Sequence, residues 1–199
     1  MYLVYMHGPY VIKLGGSLEH RMDPILEILQ RSSCPSVIVP GGGEFARMVR
    51  STGITGESAH WMAIAAMEQF GWYIAARGFR HCSVLRHPEV TELLLPYLLL
   101  RKTDPLPHSW EVTSDTIAAW VAHSLGLDLI LLKSVHGIFS GNELQKKVTR
   151  VIQTKTVDPC FLPFVLEKGV RVKIINGNIP ERLELFLKGH SVPGTTIGF

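Results

Sequence analysis

VIKLGGS, Val11 to Ser17, is the stretch on which the reading of the fold turns. A short apolar strand, Tyr10 to Leu14, carries one lysine and runs directly into a Gly-Gly-Ser turn. That construction brings backbone N–H groups and one fixed positive charge up to a phosphate. Lys13 is also the only lysine among the first 101 residues, although arginines serve the same region. Read alone, the stretch fits a plain Gly-Gly turn with a solvent-facing lysine equally well. It is not a GxxxxGK[ST] loop, because the lysine precedes the glycines, and it lacks the GxGxxG spacing of a dinucleotide fingerprint.

Outward from this stretch, Asp23 is expected to cap a helix with Pro24 at its first position and Ile25, Leu26, Ile28 and Leu29 turned inward. Ser36 to Pro40, SVIVP, is a second apolar strand. It too runs into glycines, Gly41 to Gly43, before a helical pattern that starts at Glu44. A strand, glycine turn and helix used twice in succession predicts an α/β fold around a mainly parallel sheet, with loops at the strands' carboxyl ends lining a common crevice. The second helix start, with Arg47 one turn in, can hold an anion. Two such loops leaving neighbouring strands suggest two anionic groups brought close together.

Glu57 to Ala76 is apolar round much of the helical wheel, which predicts burial in a thick core or against a second copy of the chain, and a homodimer is the expectation. Cys82 to Leu85 reads as an edge strand, His87-Pro88 as the start of a short helix and Tyr97 to Leu100 as a strand. Thr103 to Ser109 holds two prolines and is a loop. A helix over Thr113 to Leu125, begun by Ser114 or Asp115 and ended by Gly126, leads into the apolar strand Leu127 to Leu132, which delivers Lys133, Ser134 and His136-Gly137 to a loop. Asn142 to Thr156 is polar and basic, either a solvated segment or a cover over phosphates. A helix over Pro159 to Lys168, a strand over Val170 to Ile175, a turn at Asn176 to Asn178, a helix near Pro180 and a last strand ending at Ile197 complete the pattern.

The 199 residues, 46% of them hydrophobic, suit one globular domain, 1–199, with a loose division near residue 108. The net charge of +3 comes from scattered residues with no basic run, so an anionic small molecule is the expected partner rather than nucleic acid. Cys34, Cys82 and Cys160 form neither a zinc spacing nor a disulfide framework and point to a reducing cytoplasm. The opening MYLVYMHGPY lacks the features of a signal peptide, and no apolar run has the length of a membrane span, so a soluble protein is expected.

Taken in order, VIKLGGS, VIVPGGGEFAR, TSDTIAAWVA followed by LILLKSVHGIF, and the closing IINGN with GTTI resemble the amino acid kinase family, which includes acetylglutamate, aspartate, uridylate and isopentenyl phosphate kinases. Each motif is short, and it is their succession over nearly the whole chain that is specific. Within the family, the short length and the form WEVTSD look most like the archaeal-type kinases of methanofuran biosynthesis, which phosphorylate the phosphate of an aminomethyl-furanmethanol phosphate.

The resemblance implies a three-layer sandwich that transfers the γ-phosphoryl group of ATP to a phosphorylated acceptor. It implies an acceptor side at 1–108 and a nucleotide side at 109–199. Lys13 would contact the transferred group, with Gly15, Gly16 and Ser17 close to the phosphates. Gly41, Gly42 and Gly43 would bind the acceptor, with Arg47, Trp110 and Thr113 on that side. Asp115, whose plain role is a helix cap, would orient the lysines, and Lys133, Ser134, Gly137, Ile138 and Phe139 would border the nucleotide. Mg2+ would be held by the nucleotide's phosphates, without a metal site in the protein.

The chain also departs from the family. Many members place a second catalytic lysine in a Gly-Gly-Met segment, where this chain has VDPCFLPF, Val157 to Phe164. Lys133 is the first candidate for the partner of Lys13 and Lys173 the second, while His136 stands where uridylate kinases have an aspartate. A histidine near the acceptor, as in isopentenyl phosphate kinases, has only His60 and His108 as unaligned candidates. Trp110 could stack on a flat acceptor or simply fill the core. Other acceptors (UMP, isopentenyl phosphate, an amino acid carboxylate) and a non-catalytic nucleotide- or oxyanion-binding protein are the alternatives.

Overall fold

The structure, a computed structural model, describes residues 8–198. The segment in which no signal peptide is read therefore lies mostly outside it. Strand β1 (Tyr10–Leu14) is buried along its whole length and leads through a turn of 3-10 helix at Gly16–Arg21 into α1 (Met22–Arg31). Asp23 does not cap α1. The 3-10 turn starts the helical path earlier, leaving Asp23 in the first turn, where it pairs with Arg77 at 2.8 Å. β2 (Ser36–Pro40), α2 (Gly43–Ser51) and α3 (Gly56–Ala75) follow as the glycine punctuation predicts. α3 turns Ile64, Met67, Phe70 and Ile74 inward, while Trp72 and Tyr73 remain exposed.

The next region departs from expectation. The edge strand β3 is Arg80–Cys82, slightly earlier than read, and no helix forms at His87-Pro88. Instead the chain reaches β4 (Glu92–Leu94), which hydrophobicity could not reveal because its first residue is a carboxylate. Glu92 is buried nonetheless, its charge met by Arg86 at 2.8 Å. Tyr97 to Leu100 is not a strand but the start of α4 (Tyr97–Thr103). Four apolar residues without alternation do not distinguish the two states. Here the Tyr97 N–H is taken by the Glu68 carboxylate at 2.9 Å, and Leu100 packs inward while Leu98 faces out.

α5 (Ser114–Leu125) starts at Ser114, one of the two expected starts, and its cap is Thr113. Thr113 has extended backbone and its hydroxyl accepts from the Asp115 N–H, so it is the cap. Gly126, at φ +65°, ends the helix. β5 (Asp128–Lys133) follows, and the polar segment after it contains three short strands: β6 (Phe139–Ser140), β7 (Glu143–Leu144) and β8 (Lys147–Val148). α6 (Phe161–Glu167), β9 (Val172–Asn176), α7 (Pro180–Leu187) and β10 (Thr195–Ile197) complete the described chain. No helix among the described residues is long and apolar enough to cross a membrane.

The main sheet has eight strands in the order β3-β4-β2-β1-β5-β9-β10-β8, drawing on both sides of residue 108. All neighbours are parallel except β9 and β10. Alternate residues of the buried strands feed two cores. Val11, Val39, Leu131 and Ile174 pack with α5 and α6 on one face. Ile12, Leu14, Ile130 and Ile175 pack with α1 and α7 on the other. The result is helices, sheet and helices in three layers.

Because β1 and β2 are neighbours, their glycine turns lie side by side. A Cβ on Gly16 would collide with the Cα of Gly43, and one on Gly41 would lie 2.9 Å from the Cα of Gly15. Gly43 sits at φ +53° with the Phe70 ring directly against it, so neither geometry nor space admits a side chain there. Gly16→Ala must push the two backbones apart. We expect it to destabilise the fold by about 1–3 kcal/mol, as overpacking does. A fall in the urea unfolding midpoint of that size is the measurement, and an unchanged midpoint would contradict backbone-to-backbone packing of the loops.

Candidate active site

At the carboxyl ends of β1 and β5, three ionisable side chains meet below the glycine turns. The Asp115 carboxylate, only 3% exposed, has one oxygen 2.8 Å from Lys13 Nζ and the other 2.6 Å from Lys133 Nζ. The sheet explains the meeting. Lys13 lies beside Leu131 in the register of β1 and β5, and Lys133 is two residues further on, so both lysines share the face that α5 covers. α5 then presents Asp115 from its first turn, where the helix's partial positive charge suits a carboxylate. Burial alone would raise the Asp115 carboxyl, but the charges of Lys13 and then Lys133 hold it below the ordinary carboxylate value. Lys133 is pulled down from its ordinary value, first by burial and then by the charge of Lys13, with Asp115 acting against both.

Lys173, the other candidate partner, sits beside Ile130 on β5, and Ile130 belongs to the opposite core. The structure therefore brings Lys133, not Lys173, to Asp115. The glycines surround the cluster. A Cβ on Gly15 would lie 2.6 Å from Lys13 Nζ, and one on Gly41 would lie 3.4 Å from Ser114 Oγ. The first turn thus lies against the Lys13 ammonium, and the second lies against the first turn and the start of α5.

Beside this point lies a cavity of about 100 Å³. Of the residues expected on the acceptor side, Gly42, Trp110 and Thr113 line it, with Ala59, Ala63 and Met67 of α3. Arg47 does not reach it, because its guanidinium is paired with Glu44 on the exposed side of α2. Arg50, one turn later, does, and lies 4.6 Å over the Trp110 ring. His60 also lines the cavity and stacks on His108 at 4.3 Å, and His108 in turn bonds Asp104 at 2.8 Å. These three form the one grouping among the described residues whose atoms could meet a metal ion, with one ligand atom of each within 4.8 Å of the others and the two imidazoles stacked.

On the other side of the lysines, Ser134 and Phe139 are exposed, but Ile138 is wholly in the core, so only its backbone could border a ligand. That N–H is already bonded to Thr195 Oγ1 at 2.9 Å. His136 accepts at Nδ1 from Arg182 at 2.9 Å. Ser17 lies exposed in the 3-10 turn. Arg50, Arg182 and Asp158, the last bonded to Thr113 and Thr116, were not singled out as site residues from the sequence. The two arginines give no signal beyond a charge on a helix, and Asp158 gives only an Asp-Pro step before one.

No family model matches the chain. The chain is 29% identical to [5-(aminomethyl)furan-3-yl]methyl phosphate kinase of Methanocaldococcus jannaschii, over 95% of this chain and 98% of that protein. Its structure superposes on isopentenyl phosphate kinase with a TM-score of 0.67 at 18% identity, covering 94% of this chain and 99% of the other. It superposes on uridylate kinase of Archaeoglobus fulgidus with a TM-score of 0.66 at 18% identity, covering 96% and 100%. The fold is that of the amino acid kinase family.

The ion cluster makes a prediction about stability. Asp115 has a lower pKa folded than its ordinary 3.8, so the stability it contributes is complete above that value and is lost as pH falls through the folded one. Asp115→Asn should therefore be less stable than the natural protein at neutral pH, with the difference shrinking in acid below pH 3.8. Urea midpoints measured across that range would show it, and a difference independent of pH would contradict the arrangement.

Proposed function

We propose that this protein is an ATP-dependent kinase that phosphorylates the phosphate group of a small molecule, and that its acceptor is an aminomethyl-furanmethanol phosphate. The observation that carries the reading is the buried Lys13–Asp115–Lys133 cluster set beneath two side-chain-free glycine turns and beside a cavity. Two ammonium groups on one carboxylate leave a net positive charge beside the glycine turns, which suits a transferring phosphoryl group. The name of the M. jannaschii relative supports the acceptor, and the likeness to the isopentenyl phosphate and uridylate kinases supports a phosphate-bearing one.

In this reading the acceptor occupies the cavity with its flat ring against Trp110, and Arg50 and the turn at Gly41 to Gly43 meet its phosphate. The nucleotide lies on the side of Lys133, Ser134, Gly137 and Phe139. An oxygen of the acceptor phosphate attacks the γ-phosphorus, the bond from that phosphorus to the β–γ bridging oxygen breaks, and ADP leaves. The attacking oxygen is already anionic, so no base is needed. Asp115 is accordingly committed to two lysines and orients them, while Lys13 and Lys133 offset the charge that gathers on the transferred group. Mg2+ would come with the nucleotide and be held by its phosphates. The two carboxylates here do not suit it, since Asp115 is held by lysines and Asp158 by threonines.

Lys13→Met should lower kcat by about 10²–10³-fold, the loss typical of removing one preorganised donor, with the circular dichroism spectrum unchanged. Full turnover in that variant would refute the mechanism. The natural protein should use the furan phosphate in preference to UMP, isopentenyl phosphate and an amino acid carboxylate. Turnover of another acceptor would reassign the substrate, and nucleotide binding without turnover of any would favour a binding protein.

Because Lys133 is depressed below its ordinary 10.5, kcat/KM should fall on the alkaline side before that pH is reached. Lys133→Arg, which cannot lose its charge in that range, should move this limb upward. A pH–rate profile with the same alkaline limb in both proteins would exclude Lys133 as the titrating group.

A further inference from the structure

Asp158 is buried, 8% exposed, and its carboxylate accepts four hydrogen bonds from a segment more than 40 residues away in sequence. One oxygen takes the Thr113 N–H at 3.1 Å, the Thr113 hydroxyl at 2.8 Å and the Thr116 N–H at 3.1 Å. The other takes the Thr116 hydroxyl at 2.5 Å. These donors are the cap and third residue of α5, on either side of Asp115. The segment that supplies Asp158 is itself fixed, with Val157 and Phe161 in the core and the Phe161 N–H bonded to the Asp158 carbonyl at 3.1 Å.

An ordinary cap does not require this. Thr113 already caps α5 with its own hydroxyl, and a buried carboxylate carries a desolvation cost that an exposed cap avoids. What the second carboxylate adds is rigidity at one place. With Thr113 and Thr116 both tied to the same group, the peptide of Asp115 between them cannot shift along the helix axis or unwind. Asp115 must hold that position for its two oxygens to reach lysines on two different strands.

We propose that Asp158 is a positioning residue, which clamps the first turn of α5 so that Asp115 stays between Lys13 and Lys133. This deepens the kinase reading and rests on it. The segment in which the family resemblance leads one to expect a second lysine supplies, in this chain, the group that holds the lysines' shared carboxylate. Burial pushes the Asp158 carboxyl up while the threonine hydrogen bonds pull it back. Its charge also acts on Lys133 in the direction that keeps the ammonium protonated.

The test uses the full chain. Asp158→Asn keeps the shape and removes an acceptor, and Thr116→Val removes the shortest of the four bonds should the first variant fold poorly. Each is expected to lower kcat, by about 10²-fold for a displacement of the order of 1 Å, with KM for ATP unchanged. Asp158→Asn placed in an Asp115→Asn background should give no further loss. Side-chain 15N NMR of the lysines, recorded without nucleotide, should show the ion-paired Lys13 and Lys133 ammonium signals shifting in either variant. Unchanged lysine signals, with kcat retained and only the melting temperature lowered, would overturn the proposal and leave Asp158 a structural cap. If the natural protein turns over no acceptor, the lysine signals alone decide the clamp, so its failure stays distinct from that of the kinase reading.

Discussion

One buried carboxylate shared by two ammonium groups sets the terms for the rest of this structure. Two lysines brought this close in a dry place would repel, and either alone under the glycine turns would be costly to bury. Asp115 offsets both by giving each lysine one of its oxygens, at 2.8 Å and 2.6 Å. The cluster keeps one net positive charge, which the fold holds directly beneath backbone with no side chains above it. The arrangement is of little use for stability, since well-packed apolar residues would serve as well or better. Buried charge clusters of this kind gather at functional sites.

That constraint explains why the chain takes this topology around its centre. β1 and β5 must be neighbours, in a register that places Lys13 and Lys133 on the same face, and α5 must cross that face with its first turn at the strands' carboxyl ends. β2 on the other side of β1 then brings the second glycine turn against the first, close enough that Gly16 and Gly43 admit no side chain between them. Parallel strands with helical crossovers satisfy all of these requirements, because every strand delivers its loop to the same end of the sheet.

Much of this could be read from the residues. VIKLGGS and VIVPGGG announce their strands, their turns and their adjacency, since apolar runs cut by glycines leave little freedom in secondary structure. Lys13 stood out for the same local reason, whereas Asp115 read locally as a helix cap and gained its other role only from the family resemblance. What escaped was governed by partners distant in sequence. β4 was hidden by Glu92, whose burial makes sense only once Arg86 is seen beside it. α4 passed for a strand because four apolar residues carry no period and its N–H partner, Glu68, lies on α3. Arg47 and Arg50 are both plausible from spacing, and only the position of Trp110 shows which of them faces the cavity. Asp158 was the least legible of all, because each of its side-chain partners lies more than 40 residues away.

The same geometry bears on what kind of acceptor the site can serve. A hydroxyl acceptor must lose a proton as it attacks, and a nearby base has to take it. Each oxygen of the carboxylate closest to the lysines is ion-paired with one of them, and Asp158 already accepts four hydrogen bonds. His60, which lines the cavity stacked on His108, is pushed below its ordinary value by burial and then by His108, which favours the neutral imidazole. A phosphate acceptor arrives with its nucleophilic oxygen already ionised and asks the protein only for position and for positive charge. Arg50, stacked on Trp110, supplies charge at the cavity wall, and the two lysines supply it at the Asp115 cluster. In the proposed reaction, a phosphoryl transfer between oxygens that are already anionic, these residues would act through electrostatics rather than proton transfer.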